Sequence, residues 1–215
     1  MPTVTAVCVV HGLLTEPTNP GGLTAIDKRQ VPARVEVTEL GLAGDTQCDT
    51  QHHGGVDQPV YAYADEDAAW WAAELDREIT PGLFGENLRT AGIDLTSAEI
   101  GERWRVGEGG LVLEVASPRV PCATFQRRMD VEHWVKRFTD HGAPGTYLRT
   151  VHPGTVGVGD QIVVEHRPGH GVTVAEAFLR PEPATMQRLL DAERAGLVVL
   201  AGNMRAHAER AVARA

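Results

Sequence analysis

Cysteine is scarce in this chain, with Cys8, Cys48 and Cys122 the only three in 215 residues. An odd number, too small for a disulfide scaffold, suits a reducing compartment and leaves thiols available for chemistry. Lysine is scarcer still, Lys28 and Lys136 standing against eighteen arginines. A pyridoxal phosphate Schiff base therefore has two candidate positions, neither in a recognisable context, and that cofactor is not expected. Long apolar runs are missing: stretches such as Leu197 to Ala201 fall far short of the ~20 residues a membrane helix needs, so no membrane partner is expected. Positive charge is in deficit, with a net charge of -9 and a pI near 5.4. That excludes nucleic acid held by general phosphate neutralisation, while a local cluster can still hold a small anion. Met1 to Gly12 has no cationic start before its Val-rich run, so it lacks the layout of a secretory signal and a cytoplasmic location is expected. Neither a Gly-rich phosphate loop nor a Ser-centred nucleophile elbow is present, which removes support for nucleotide hydrolysis and ordinary esterase chemistry.

The length allows one main domain with a small appendage. Val35-Glu36-Val37, Trp104-Arg105-Val106 and Leu111 to Val115 alternate with period two, and turn signals such as Gly107-Glu108-Gly109-Gly110 and Gly157-Val158-Gly159-Asp160 punctuate them. Many short strands with frequent turns predict a barrel or closed sheet, with a hairpin across Gly109-Gly110. Asp65 to Ile79 reads as a helix, capped by Asp65, with Ala68, Ala72, Leu75 and Ile79 at helical spacing. At most one of the adjacent Trp70 and Trp71 within it can point at the core. A weaker helix is expected around Val131 to Thr139. After Arg167 to Gly171 the texture changes, and Pro183 to Ala195 and Met204 to Ala213 are rich in Ala, Arg and Leu. The fold class is mainly β with helices (α+β), divided as a β-barrel-like domain over 1–172 and a small helical extension over 173–215. That extension is too small to stand alone and must pack on the barrel or on a second subunit, which leaves a homodimer open.

Three clusters can carry chemistry. In Ser117-Pro118-Arg119-Val120-Pro121-Cys122 two prolines stiffen the backbone before a thiol, and Arg119 can lower its pKa or bind an anion. An isolated cysteine is more often a small buried hydrophobe, but this setting turns the reading toward a held reactive atom. Gly44-Asp45 and Gln51-His52-His53-Gly54-Gly55-Val56-Asp57 form a Gly-rich polar stretch that either turns tightly or approaches a ligand. His52 and His53 can bind a metal with Asp45, Cys48 or Asp57, or simply hydrogen-bond backbone. In Phe84-Gly85-Glu86-Asn87-Leu88, Glu86 offers an acceptor and Asn87 an amide able to read a heterocycle edge; the bland alternative is a glycine-bearing connection with a capping Glu.

Taken in order, Lys28, Gly41-Leu42-Ala43-Gly44-Asp45, His52 to Asp57, Phe84 to Leu88, Ile100-Gly101-Glu102 and Pro118-Arg119-Val120-Pro121-Cys122 resemble the MOSC family, named after the C-terminal domain of molybdenum-cofactor sulfurases. The resemblance is to stand-alone bacterial members with a helical C-terminal extension, linked to resistance against N-hydroxylated base analogues such as hydroxylaminopurine. It implies a barrel-like core and assigns Cys122 as the residue that ligates molybdenum or carries a persulfide. By the same resemblance Lys28, Asp45, His53, Gly54, Gly55, Asp57, Glu86, Asn87 and Arg119 belong to the molybdopterin-binding pocket. The stretch Ala123-Thr124-Phe125-Gln126 after Cys122 varies among relatives and carries no substrate inference.

The resemblance implies a molybdenum-cofactor enzyme that reduces small N-hydroxylated substrates. With no Cys quartet for an iron–sulfur cluster and no dinucleotide fingerprint, electrons must come from a separate reductase. The alternative is a sulfur or cofactor carrier with a persulfide on Cys122. A zinc hydrolase built on His52 and His53 and a barrel serving only protein contacts are the remaining readings.

Overall fold

The computed structural model describes residues 1–19, 21–48, 55–178 and 181–214. Its frame is β1 (Thr3–Thr15), whose first part pairs with β6 (Leu88–Ala91) and whose second part pairs with β2 (Leu23–Gln30), both antiparallel. Register shifts at Val4/Ala6 and Val10/Gly12 let one strand serve both neighbours, because each inserted residue bends the strand. The large sheet continues through β5 (Val60–Ala64), β9 (Thr146–His152), β8 (Leu111–Pro118), β7 (Arg103–Val106) and β11 (Ile162–His166), in the order β11-β7-β8-β9-β5-β6-β1-β2. The expected hairpin is there, Val106 facing Leu111. Thr3 bridges Gln161, Val4 N donates to Asp160 O and Ile162 N to Pro2 O, each at 2.9 Å, which curls the sheet toward a barrel-like form. A small sheet of β10 (Gly154–Val156), β3 (Val35–Thr38) and β4 (Gly41–Leu42) completes the β structure.

Among the described strands β5 and β6 form the parallel pair, and α1 (Asp65–Leu75) is the crossover that such a pair needs. The helix differs from its expected outline. Ala64, without a side-chain cap, precedes it; Asp65 lies in the first turn beside the helix's positive end and 3.6 Å from Arg89. Asp76 takes a left-handed conformation that stops the helix before Ile79, which is buried in the following loop. Trp71 is 1% exposed and Trp70 45%, the latter stacked on His141. Downstream, α2 (Ala123–Met129) is a helix the sequence reading did not expect, and the weak helix near Val131 appears as α3 (Trp134–His141). The C-terminal part holds α4 (Val174–Phe178), α5 (Pro183–Arg194) and α6 (Gly202–Val212).

Two cores result. The barrel interior is aliphatic apart from Trp104 and continuous with the C-terminal helices, Leu113 and Leu148 sharing one cluster with Met186, Leu189 and Met204. The second is aromatic, and eight of the chain's eleven Phe, Trp and Tyr side chains belong to it or pack against it. Because it includes Tyr61, Phe84 and Phe125, it makes a stiff wall under the loop that carries Cys122. No helix among the described residues is long and apolar enough to cross a membrane.

Candidate functional site

Lys28 lies on β2 opposite Val10 of β1. Asp45, in the loop after β4, accepts from Val10 N at 2.9 Å through Oδ1, and its Oδ2 takes both the Lys28 ammonium and Asn87 Nδ2, the latter at 2.8 Å. A carboxylate bridging two strands in this way fixes the lysine head at the β1–β2 edge. Asn87, just before β6, also donates to Cys8 O at 3.2 Å and accepts from Tyr61 N at 3.1 Å. Both its amide hydrogens and its oxygen are thus engaged within the protein. The sequence allowed this amide to read a heterocycle edge; in the structure its hydrogens and oxygen brace Asp45 and β5, and the residue lines the cavity that Lys28 and Asp45 also line.

Cys122 ends the proline loop that leaves β8, half-buried, in extended conformation, and its carbonyl accepts from Gln126 N in the first turn of α2. Phe125 and Met129 bury the inner face of that short helix and so hold the loop down. Arg119 is 6% exposed. Its guanidinium lies 3.7 Å from the Phe125 ring centroid and 5.2 Å from that of Tyr61, and Nη1 has no hydrogen-bond partner. A cation held by ring faces is stabilised by their quadrupoles, yet one donor remains unanswered. Burial pushes the Tyr61 and Tyr147 hydroxyls up, and the Arg119 charge pulls them the other way. Arg127 and Arg128, a turn beyond, are held elsewhere by Glu16 and Asp27 and do not serve the thiol.

These groups converge on one cavity of about 490 Å³, walled by Lys28, Asp45, Asn87, Arg119, Cys122 and Tyr147. The volume lies in the range of sites for small organic ligands. Cys48 also lines it, with its thiol pKa raised by burial and by Asp45; Cys8 lies buried outside the wall, pushed up to about 12 by burial first and Glu86 second. Both shifts disfavour the thiolate at these two cysteines.

Other residues singled out in the sequence lie elsewhere. Glu86 is fully buried and accepts from Gly82 N at 2.8 Å, Phe84 N at 3.0 Å and Arg89 Nε at 2.5 Å, away from the cavity wall. Its capping role is the reading the geometry favours. Asp57 pairs with Arg149 at 3.3 Å and accepts from Gly202 N at 3.4 Å, tying its loop to the start of α6. Gly55 is exposed, in a left-handed conformation, its N donating to Gln47 Oε1 at 2.8 Å. His52, His53 and Gly54 lie outside the described residues; among those described, no cluster of three or more His, Cys, Asp or Glu could hold a metal ion. The sequence reading missed Tyr61 and Tyr147, which face each other at 5.3 Å; their alternating strand positions were the available signal.

The chain matches the family model described as MOSC domain over residues 49–163. It is 32% identical to the uncharacterized protein YflK of Bacillus subtilis over 151 residues, 70% of this chain and 67% of that one. Protein YiiM of Escherichia coli is 32% identical over 161 residues, 73% of this chain and 70% of the relative. A protein named "Reductase" from Gibberella moniliformis is 30% identical over 148 residues, 67% of this chain but only 26% of that longer one. Among solved structures, YiiM from Geobacillus stearothermophilus superposes with a TM-score of 0.79 at 21% identity, covering 99% of this chain and all of the other. At that identity the likeness concerns the fold.

Proposed function

Since the chain belongs to the MOSC-domain family, we propose that the Cys122 cavity holds a molybdenum–molybdopterin cofactor and that the protein is an oxidoreductase reducing N-hydroxylated compounds, such as N-hydroxylated purine bases. The observation that carries this reading is the meeting, in one cavity, of a thiol, a lysine anchored by a carboxylate, and a buried guanidinium with an unmet nitrogen. That donor set fits the group. A thiolate is the soft ligand molybdenum takes, and Lys28 with Arg119 supplies the two cations a pterin phosphate needs. When bound, the cofactor supplies the two-electron chemistry by which an N-hydroxyl group, with two protons, becomes an amine and water.

The chain's own residues do the rest. Cys122 holds the metal side, on a loop that two prolines and the α2 packing keep in place. Asp45 and Asn87 set the position of the Lys28 ammonium, and Tyr61, Phe125 and Tyr147 shield Arg119 from water so that its charge acts undiluted. Electrons come from a separate reductase. The name borne by the fungal relative supports the same reaction class here.

The test is molybdenum and pterin content of protein purified without oxygen from a cofactor-sufficient host, beside Cys122→Ala and Lys28→Ala. Near-stoichiometric cofactor in wild type that falls sharply in both variants, with hydroxylaminopurine reduction by the loaded protein when a chemical electron donor is supplied, is the expected result. Wild type lacking metal and pterin, with a reducible one-sulfur mass increment on Cys122, would replace this reading with the sulfur-carrier one.

A further inference from the structure

One stretch of the wall around the Cys122 cavity is not held by the large sheet. Gln58 and Pro59 line the cavity at the entry to β5, whose ladder with β9 begins at Val60, opposite Leu148. A proline carries no N–H, so Pro59 has no donor with which to extend that ladder. Side chains hold the segment instead. Gln47, itself on the cavity wall, accepts from Gly55 N at 2.8 Å through Oε1 and donates from Nε2 to Gln58 O at 3.4 Å, while Gln58 N closes the turn on Gly55 O at 3.2 Å. From outside the wall, Asp57 pairs with Arg149 at 3.3 Å and accepts at 3.4 Å from the N–H of Gly202, the first residue of α6, where the positive end of the helix favours a carboxylate.

Arg149 is placed for more than this one pair. Side chains alternate along β9, so Arg149 shares a face with Tyr147, which lines the cavity, and the step beyond the Val60–Leu148 rung sets it beside Pro59. Its Nη2 donates to Val199 O at 3.0 Å, in the link between α5 and α6, and its Nε lies 3.6 Å from the buried Glu114. One guanidinium therefore joins the cavity segment to the helical extension. That extension is a firm anchor, because Leu200, Ala201 and Met204 around the start of α6 are at most 3% exposed and belong to the barrel core. It also lies beyond residues 49–163, the span matched to the MOSC domain.

We infer that Asp57 and Arg149 are positioning residues for the Cys122 cavity, through which the helical extension holds the Gln58–Pro59 wall in place. Neither side chain needs to touch a ligand. They act through the two wall residues that follow Asp57, and the start of α6 is thereby a working part of the site rather than an appendage to it. The inference rests on the Cys122 cavity being the binding site, and not on which ligand that cavity holds.

The test compares Asp57→Asn and Arg149→Met with wild type, as whole protein, in two measurements: the rate at which bound molybdenum and pterin leave after gel filtration, and, in ligand-free protein, the rate at which N-ethylmaleimide alkylates Cys48, which follows Gln47 and lines the same cavity. Ligand loss about fivefold or more faster is expected in both variants, the lower end of ordinary coupling between sites. Alkylation of Cys48 should quicken as well, while the melting temperature of Asp57→Asn falls by no more than about 4 °C, as for one partly exposed ion pair. Arg149→Lys keeps the charge but not the fork that reaches both Asp57 and Val199 O, and should recover only part of the effect. The double variant should lose ligand no faster than Arg149→Met, since both changes break one clamp. Arg105→Met, which breaks the exposed pair with Glu165, should leave both rates unchanged. Should Arg149→Met fail to fold, Asp57→Asn, a third exposed and altered in charge alone, decides by itself. Wild type without cofactor would count against the proposed function, and Cys48 alkylation would then decide the inference. Wild-type ligand loss in folded Asp57→Asn, or wild-type alkylation where no cofactor is carried, would overturn it.

Discussion

Replacing Glu86 by alanine separates a structural carboxylate from a ligand-binding one. In the folded protein this side chain is fully buried and answers three donors at once: Gly82 N, Phe84 N and the Nε of Arg89, itself 1% exposed. Without it Arg89 keeps only Thr80 O at 3.3 Å, Asp65 at 3.6 Å and the faces of Tyr63 and Phe84, both beyond 5 Å. Removing one member of a buried ion pair costs about 3–5 kcal/mol, since the other charge stays behind in a poorly solvating interior. The two orphaned backbone N–H groups act in the same direction, although they share the site and do not add independently. At about 2–4 °C per kcal/mol for a chain of this size, Tm should fall by roughly 10 °C, measured by circular dichroism melting. Glu86→Gln, which keeps an acceptor, should fall between the two. The double variant Glu86→Ala/Arg89→Met should lose less than the two single variants together, because no unpaired charge remains. Ligand content per folded molecule should be unchanged in all of them, as Glu86 is not on the cavity wall. A Glu86→Ala protein that melts within about 3 °C of wild type but loses its ligand would refute this reasoning and return Glu86 to the binding site.

Asp45→Ala should cost both ligand retention and about 3 kcal/mol of stability, because it strands the Lys28 ammonium, Asn87 Nδ2 and Val10 N together; urea unfolding and metal analysis check the two effects separately. Gly82→Ala should be destabilising by at least about 1 kcal/mol, since Gly82 has a φ of +86° and a Cβ there would collide with Lys28 O; the same substitution at Gly159, whose surroundings are open, should keep only the conformational cost. Glu16, whose pKa the Arg127 guanidinium lowers from 4.5 to about 2, ties the end of β1 to α2. With the folded pKa depressed, its stabilisation is complete above about pH 4.5 and disappears as pH falls through about 2, so the melting difference between wild type and Glu16→Gln should close over that interval. Trp71→Ala should destabilise by about 3–5 kcal/mol and Trp70→Ala by much less, the first being buried against Trp134 and the second half in water; paired thermal melts decide it.

What the sequence by itself determined is local or ordered along the chain. Alternation marked Trp104–Val106 and Leu111–Val115, and two glycines marked the turn between them. Helical composition located the two long C-terminal helices, adjacency of Trp70 and Trp71 implied that one must face outward, and the order of short motifs gave the family. Helix α2 escaped because its only signal, Phe125 and Met129 four apart, spans a single turn; Asp65 missed its cap by one position, a shift that composition does not register. The partners of the polar residues were decided only by tertiary structure. Asp45 reaches back 35 residues to Val10 and 17 to Lys28, and on 42 to Asn87; Arg119 is held by a tyrosine far upstream; and Asp57 finds its charge partner in Arg149. A polar side chain reads the same in a sequence whether it faces a ligand or a buried N–H. Which of these it meets depends on how strands distant along the chain come to lie about 5 Å apart, and that spacing exists only once the sheet has formed.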